Sequence, residues 1–256
     1  MKELDVAVDI AILAGRFIKS RVGKLKEVQY KGEIDIVTDV DKKAEALIIK
    51  NLKKSFPEYG ILAEESIEKE KGDVKWIIDP IDGTTNFAHG FPFFAVSIAL
   101  EKQGKTVLGI VYDPMRDELF SAVKGKGAYL NKKKIMVSNV KDMGKAFLAT
   151  GFSYNFKKTK QNNMQNFFNF MMASMAVRRA GAASLDLCCV ACGRFDGFWE
   201  LDLCPWDTAA AELIIRESGG KVSKVDGSRF SNYEKSMVAS NGLLHKEMLK
   251  ILAKGD

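Results

Sequence analysis

The chain has 256 residues, of which 46% are hydrophobic and 28% are charged, and its formal net charge is +6. These values are typical of a globular protein with one large compact domain, or with two lobes that share a sheet. No apolar stretch approaches the ~20 residues of a transmembrane helix, so no membrane association is expected. The acids Glu3 and Asp5 argue against a signal peptide, so we expect a cytoplasmic protein.

Two helices are predicted in the first part of the chain. Apolar residues recur at helical spacing over residues 4–22. A second helix should start after Thr38, a candidate N-cap whose capping box would be completed by Asp41. This helix should end before Pro57. Its predicted core positions are Ala44, Leu47, Ile48 and Leu52.

Two short apolar runs then lead directly into acidic residues. Residues 60–63 precede Glu64 and Glu65, and the predicted buried strand 74–78 precedes the sequence D-P-I-D-G-T-T-N at 79–86. Carboxylates are ligands for Mg²⁺, and a glycine turn followed by threonines can hold a phosphate. The pattern favours phosphoryl transfer or hydrolysis, although an ordinary Asp/Gly-rich turn has the same spacing.

The rest of the chain mixes strands and helices. Runs at 94–101, 106–112 and 118–123 predict an antiparallel meander. The second half alternates the two types, which predicts layered α and β structure. The expected helices are 163–176, 182–193, 207–218 and 243–254, and the expected strands are 195–200, 221–225 and 237–239.

The cysteines and the lysine runs each allow two interpretations. Cys189 and Cys192 form a C-x-x-C, which occurs in redox and zinc sites, but they lie in a small-residue run at 182–192. We favour free cysteines packed in a buried helix. The lysine runs fit steering of nucleic acid or anionic substrates, or an ordinary solvated surface, which we favour. These runs are at 24–31, 132–134 and 157–160.

Two longer motifs carry a family resemblance. W-I-I-D-P-I-D-G-T-T-N-F at 76–87 and W-D-T-A-A at 206–210, with Glu64 and Glu65 upstream, resemble the signatures of the inositol monophosphatase family. This family belongs to the Mg²⁺-dependent, lithium-sensitive phosphatases that include fructose-1,6-bisphosphatase. The resemblance covers essentially the whole chain. It implies an α+β fold, a layered αβαβα sandwich, in one domain over 1–256 with lobes of roughly 1–145 and 146–256.

The resemblance also implies a site for two to three Mg²⁺ ions. Glu64, Asp79 and the Ile81 carbonyl resemble ligands of the first ion, and Asp79, Asp82 and Asp207 resemble ligands of the second. Glu64 would also approach a third, weaker ion through water. The implied catalytic residues are Glu64, Thr84 and Asp79, of which Thr84 and Glu64 resemble the residues that orient and deprotonate the attacking water. The implied substrate-binding residues are Asp82, Gly83, Thr84, Ala183, Glu200 and Asp207.

Several nearby acids have more than one possible role. Glu65 either supports the metal ligands or is a surface acid. Glu200 matches an acid that hydrogen-bonds an inositol hydroxyl, but a strand-end surface acid is the alternative. The acidic loop resembles the family's mobile third-metal loop, in which Asp41 fits a capping role better than a ligand role. That loop contains Lys31, Asp35, Thr38, Asp39 and Asp41.

Small and basic residues beside the predicted sugar position are also ambiguous. Gly181, Ala182 and Ala183 match a turn beside the sugar ring, and close helix packing is the alternative. Arg178 and Arg179 could face the site, a subunit interface or solvent.

The expected activity is Mg²⁺-dependent hydrolysis of inositol-1-phosphate by a metal-activated water, without a serine or cysteine nucleophile. Fructose-1,6-bisphosphate, or both sugar phosphates, is the alternative; histidinol phosphate and a phosphoadenosine nucleotide are less favoured. An RNA- or transcription-complex-associated protein is the alternative from another class, although no nucleic-acid motif is evident. The expected partners are a small phosphorylated polyol or sugar and a second copy in a homodimer, without nucleic acid.

Overall fold

A computed structural model describes residues 2–24, 28–30, 35–66 and 72–255. Within these ranges, the helices are α1 (Lys2–Lys19), α2 (Asp39–Ser55), α3 (Thr84–Ala88), α4 (Met164–Ala173), α5 (Ala183–Ala191), α6 (Pro205–Glu217) and α7 (His245–Leu252), with a 3-10 turn at Met143–Lys145. The strands are β1 (Val28–Tyr30), β2 (Ile36–Thr38), β3 (Gly60–Ala63), β4 (Val74–Asp82), β5 (Ala95–Lys102), β6 (Lys105–Asp113), β7 (Glu118–Val123), β8 (Ala128–Leu130), β9 (Lys133–Lys134), β10 (Phe147–Thr150), β11 (Ala176–Arg178), β12 (Gly197–Leu201), β13 (Lys221–Ser223) and β14 (Ser236–Ser240). Lys31 and part of the lysine run 24–31 lie outside the described residues. None of the described helices is long and apolar enough to cross a membrane.

Two large sheets organise the structure, beside a two-stranded sheet of β1 and β2. The larger has the strand order β3-β4-β5-β6-β7-β8-β9, and the smaller has the order β11-β10-β12-β14-β13. β5, β6 and β7 are antiparallel neighbours, as the predicted meander requires. β3 and β4 are parallel, so their carboxyl ends reach the same edge of the sheet.

Three apolar clusters hold together five layers, which are helices, the larger sheet, helices α5 and α6, the smaller sheet and helices again. One packs α1 and α2 against the larger sheet, one fills the space between the two sheets around α5 and α6, and one packs α4 and α7 against the smaller sheet. Strand β4 contributes apolar side chains to both faces of its sheet, since Trp76 and Ile78 belong to the first cluster and Ile77 to the second. This arrangement confirms the predicted α+β fold with an αβαβα sandwich.

The predicted start of α2 is confirmed. The Thr38 backbone N–H donates to Asp41 Oδ2 at 2.8 Å, and the Thr38 side chain accepts from the backbone N–H groups of Val40 and Asp41. Ala44, Ile48 and Leu52 are fully buried, whereas Leu47 is partly buried. Thr38 and Asp41 therefore form a complete capping box.

Most boundaries differ from the sequence prediction by one to three residues, and two of the differences have a clear physical cause. The predicted strand 74–78 continues to Asp82, because a register shift against β5 between Asp79 and Asp82 accommodates Pro80 without the ladder bond that proline cannot donate. The predicted helix 163–176 ends at Ala173, and Ala176–Arg178 pairs in parallel with β10. That pairing depends on a distant strand, which local periodicity does not show.

A buried histidine makes the stability of this fold pH-dependent. His245 is fully buried between two hydroxyls, with Nε2 2.9 Å from Ser223 Oγ and Nδ1 2.9 Å from Ser240 Oγ. Burial, reinforced by Lys221 and Arg216, lowers the pKa of His245 to about 4. The native state therefore holds a neutral imidazole at a pH where the unfolded chain is already protonated.

We predict that His245 removes up to about 3 kcal/mol of unfolding free energy as the pH falls from about 6.5 to 4, since the unfolded state binds the proton first. Urea unfolding of wild type and His245→Gln across this range should give a shallower pH dependence for the variant. The exposed His89→Gln is the matched control and should follow wild type. Parallel curves for wild type and His245→Gln would contradict the assignment.

Candidate active site

The predicted site acids meet at one edge of the larger sheet. Asp79 and Asp82 lie in the last part of β4, and Glu64 follows β3, whose Ala63 pairs with Ile78. Asp207 comes from the first turn of α6, which packs against this sheet. Asp79 is 2% and Asp82 8% exposed. Four acids from three separate segments of the chain are thus close enough to interact electrostatically.

Their charges oppose one another. Burial raises the pKa of Asp79 well above its usual range, and the nearby carboxylates of Glu64, Asp82 and Asp207 raise it further. Burial also raises the pKa of Asp207, an effect that the Cys204 N–H opposes and the Asp82 and Glu64 charges reinforce. A bound cation would relieve this repulsion, and an all-oxygen donor set fits a hard divalent ion such as Mg²⁺.

Protein donors hold three of these carboxylates. Asp79 Oδ1 accepts from the Ile81 N–H at 3.0 Å, and Asp207 Oδ2 accepts from the Cys204 N–H at 2.6 Å. Asp82 Oδ2 accepts from the Ser184 N–H at 2.7 Å and from its hydroxyl at 2.5 Å. In this arrangement, no three His, Cys, Asp or Glu side chains among the described residues are grouped to hold a metal ion. The all-oxygen chemistry of these donors nevertheless fits Mg²⁺.

The turn after β4 brings backbone close to the acids. Gly83 has φ +91°, and a Cβ there would lie 3.0 Å from the Phe93 carbonyl and 3.1 Å from the Ala182 Cβ. The Thr84 hydroxyl lies 2.9 Å from Asp41 Oδ1 and 3.0 Å from the Ile81 carbonyl, so its proton has two acceptors. The capping acid of α2 thus also positions Thr84, a contact that sequence reasoning missed.

Five of the six predicted substrate-binding residues line one cavity, and Thr84 does not border it. A space of about 280 Å³ is bordered by Asp82, Gly83, Ala183, Glu200 and Asp207. Burial raises the pKa of Glu200 well above its usual range, and the Asp207 and Asp82 charges add to the effect. A Cβ at Gly151 would overlap the Glu200 carboxylate. Glu200 is therefore a half-buried acid that faces the other site acids, rather than an isolated surface acid.

The basic pair and Glu65 have distinct surroundings. Arg179 lines the same cavity, whereas the Arg178 guanidinium stacks 4.8 Å from the Phe147 ring centroid. Arg179 is thus the member of the pair that faces the site. The backbone N–H of Glu65 donates to the buried Glu45 carboxylate at 2.8 Å.

The cysteines fit the packing interpretation. Cys188 is fully buried, and Cys189 and Cys192 pack against the central apolar cluster. All are free thiols. Burial raises the pKa of Cys189 to about 12, so its reactive thiolate form is disfavoured.

The sandwich and its acid cluster are those of a phosphatase that hydrolyses phosphoric monoesters. The chain matches the inositol monophosphatase family over residues 1–255 and belongs to that family. It is 44% identical to an inositol-1-monophosphatase of Synechocystis sp., covering 98% of this chain and 88% of that protein. It is 45% identical to the Nus factor SuhB of Escherichia coli, covering 96% and 94%.

Solved structures agree with this assignment. An inositol monophosphatase from Anabaena (Nostoc) sp. superposes with a TM-score of 0.91 at 37% identity, covering 100% of this chain and 96% of that chain. The Thermotoga maritima IMPase has a TM-score of 0.92 at 35% identity, covering 99% and 98%.

We predict that Gly83→Ala destabilises the protein by about 1–2 kcal/mol more than Gly90→Ala. Both glycines have positive φ, but a Cβ at Gly90 meets nothing within 4 Å, whereas one at Gly83 meets fixed backbone. Urea unfolding at neutral pH measures the difference. Equal losses would show that close packing around Gly83 does not constrain the turn.

Proposed function

We propose that this protein is a Mg²⁺-dependent phosphomonoesterase that hydrolyses inositol-1-phosphate to inositol and phosphate. The observation that carries the proposal is the group of Glu64, Asp79, Asp82 and Asp207, in which Asp79 and Asp82 are buried, beside a cavity that Glu200 borders. Fructose-1,6-bisphosphate is the alternative substrate, alone or with inositol-1-phosphate. Side-by-side kinetics on the two sugar phosphates separates these cases. A cytoplasmic location stays a prediction.

The acids would hold two to three Mg²⁺ ions. Glu64, Asp79 and the Ile81 carbonyl would bind one, and Asp79, Asp82 and Asp207 would bind another. Bound Mg²⁺ would neutralise phosphate charge, lower the pKa of water and stabilise the leaving oxygen. Lithium inhibition, expected from the family resemblance, is a further property of the proposed metal site.

The protein's own groups would position the reactants. Thr84 and Glu64 would orient the attacking water, and Glu64 would accept its proton. The backbone N–H groups of Gly83 and Thr84 would bind phosphate oxygens, while Ala183 and Glu200 would contact the polyol. The positive φ of Gly83 supports this role, because it turns the backbone beside the acids.

Asp82→Asn should lower turnover of inositol-1-phosphate by at least ~10²-fold, because it removes a ligand charge while preserving shape. Steady-state kinetics with and without a chelator checks this. Ser184→Ala is the control: it removes a hydroxyl that donates to Asp82 but keeps the carboxylate, so its loss should be much smaller. Full activity of Asp82→Asn, or of chelated wild type, would contradict the metal assignment.

Glu200→Gln should lower kcat/KM for inositol-1-phosphate, relative to 4-nitrophenyl phosphate, by about tenfold to a hundredfold. A buried hydrogen bond from a hydroxyl to a carboxylate is worth about 1.5–3 kcal/mol, and an aryl phosphate has no ring hydroxyl to lose. Asp202→Asn, a neighbouring exposed acid, is the comparison variant. Equal losses on both substrates would mean that Glu200 supports Asp207 instead.

A homodimer is proposed from an exposed apolar surface on and after α4. Its members are large apolar residues that are each about half exposed or more: Met164, Phe168, Met171, Met172 and Met175. Surfaces of this kind mark interaction sites, and a self-complementary contact closes with twofold symmetry. Met172→Glu should shift the mass measured by light scattering to that of a monomer, whereas exposed Met136→Glu should not. A monomeric wild type would reject the dimer.

Association with RNA or a transcription complex is a second candidate, because relatives at 45% identity are named Nus factor SuhB. The net charge of +6 is compatible with it. This role would be supported if the purified chain binds RNA saturably and if the affinity falls as the salt concentration rises. No binding at low salt would reject direct RNA contact.

A further inference from the structure

Asp186 is a buried acid in the substrate cavity that has no role in the proposed reaction. It lies in the first turn of α5, is 1% exposed, and borders the cavity together with Glu200 and Arg179. Its Oδ1 atom is buried and has no hydrogen-bond partner among the residues that the structure describes. Such an orphaned polar atom destabilises a protein unless a ligand or water completes it.

The fold does not use this carboxylate to start α5. The N–H groups of Ala183 and Ser184 already donate to Asp82, and the N–H of Asp186 donates to the Ala182 carbonyl at 3.0 Å. The side chain of Asp186 is therefore not needed as a cap.

The charged groups around Asp186 indicate that the cavity binds a ligand that donates hydrogen bonds. Burial raises the pKa of Asp186 well above its usual range, Glu200 and Asp82 raise it further, and the Arg179 guanidinium opposes them. Glu200 is subject to the same opposing influence of Arg179. Four carboxyl groups thus border one small space with a single arginine to balance them, and those of Asp186 and Glu200 have capacity to accept hydrogen bonds.

We propose that Asp186 is a second hydroxyl acceptor for the polyol and determines specificity jointly with Glu200; this rests on the proposed phosphatase function. A hydroxyl donates one proton, so one hydroxyl cannot donate to two carboxylates at once. A ring with two nearby hydroxyl groups can serve both. The site therefore selects phosphorylated cyclic polyols that carry such a pair over esters of simple alcohols or phenols.

The test compares Asp186→Ala, which removes both acceptor oxygens, with Asp186→Asn, which retains one. The substrates are inositol-1-phosphate, its monodeoxy analogues and 4-nitrophenyl phosphate. For Asp186→Ala, kcat/KM on inositol-1-phosphate relative to the aryl phosphate should fall about tenfold or more. Asp186→Asn should lose less. The loss should appear mainly in KM, because the contact is remote from the reacting phosphate.

Deoxy analogues identify the hydroxyl involved. Wild type should be impaired by removal of the hydroxyl that contacts Asp186, and Asp186→Ala should show no further loss on that analogue. Glu200→Gln should likewise show no further loss on an analogue that lacks a different hydroxyl, the one that contacts Glu200. Thermal unfolding supplies a readout without substrate: Asp186→Asn should raise Tm by about 2–4 °C, because it removes the cost of burying an ionisable carboxyl group.

Cys189→Ala is the control on the same helix, since Cys189 does not border the cavity. It should change Tm without changing the substrate ratio. An unchanged ratio in Asp186→Ala, or equal losses on polyol and aryl phosphates, would overturn the specificity role while leaving the phosphatase intact. If wild type with Mg²⁺ hydrolyses none of the substrates, both the proposed function and this inference fail.

Discussion

The carboxylate of Asp82 joins the two sheets of the sandwich through the start of α5. The N-cap of α5 is Ala182, which has no side-chain cap, and Asp82 at the end of β4 accepts from the N–H groups of Ala183 and Ser184 instead. Negative charge is favourable at a helix N-terminus, so this contact stabilises the helix. The same carboxylate belongs to the acid cluster. One side chain therefore fixes the distance between the acids and the turn that borders the polyol end of the cavity.

A second contact reinforces this connection from the other side of the turn. Asn86 Nδ2 lies 2.7 Å from the Phe93 carbonyl and 2.8 Å from the Ala180 carbonyl. Gly83 lets the backbone pass between these segments without a Cβ. The signature at 76–87 therefore does more than supply acids, because its glycine and asparagine dock the second half of the chain.

The acid cluster opposes folding, and the apolar layers around it offset that effect. Buried like charges without a cation are unfavourable, as the raised pKa of Asp79 shows. The cluster sits at the edge of the apolar layer between the sheets, where helices α5 and α6 bury apolar residues against both. Proteins retain unfavourable charge repulsion of this kind at sites where a ligand relieves it. The unfolding free energy of the protein therefore depends on the binding of a ligand at the acid cluster.

Local sequence patterns predicted the meander and the capping box of α2, because each follows from short-range periodicity or a contiguous motif. The approach of the acids, which come from separate segments of the chain, was predicted from the family resemblance. They did not predict β10 with β11, whose pairing joins distant segments. They also missed the Thr84 contact with Asp41, the room that Gly151 leaves for Glu200, and the orphaned oxygen of Asp186. Each of these depends on residues far apart in sequence. Asp186 is a partial exception. It is an acidic residue inside the apolar run 182–192, and this pattern alone could have identified it as a candidate site residue.

The central claim is that Glu64, Asp79, Asp82 and Asp207 form a cation site whose repulsion a divalent ion relieves. Thermal unfolding against Mg²⁺ concentration tests it most directly, with NaCl at matched ionic strength as the control and Asp79→Asn as the variant. The account predicts a saturable rise in Tm for wild type with Mg²⁺ alone, and a higher starting Tm but a much weaker Mg²⁺ response for Asp79→Asn. No rise in wild type, or an equal rise in the variant, would contradict it.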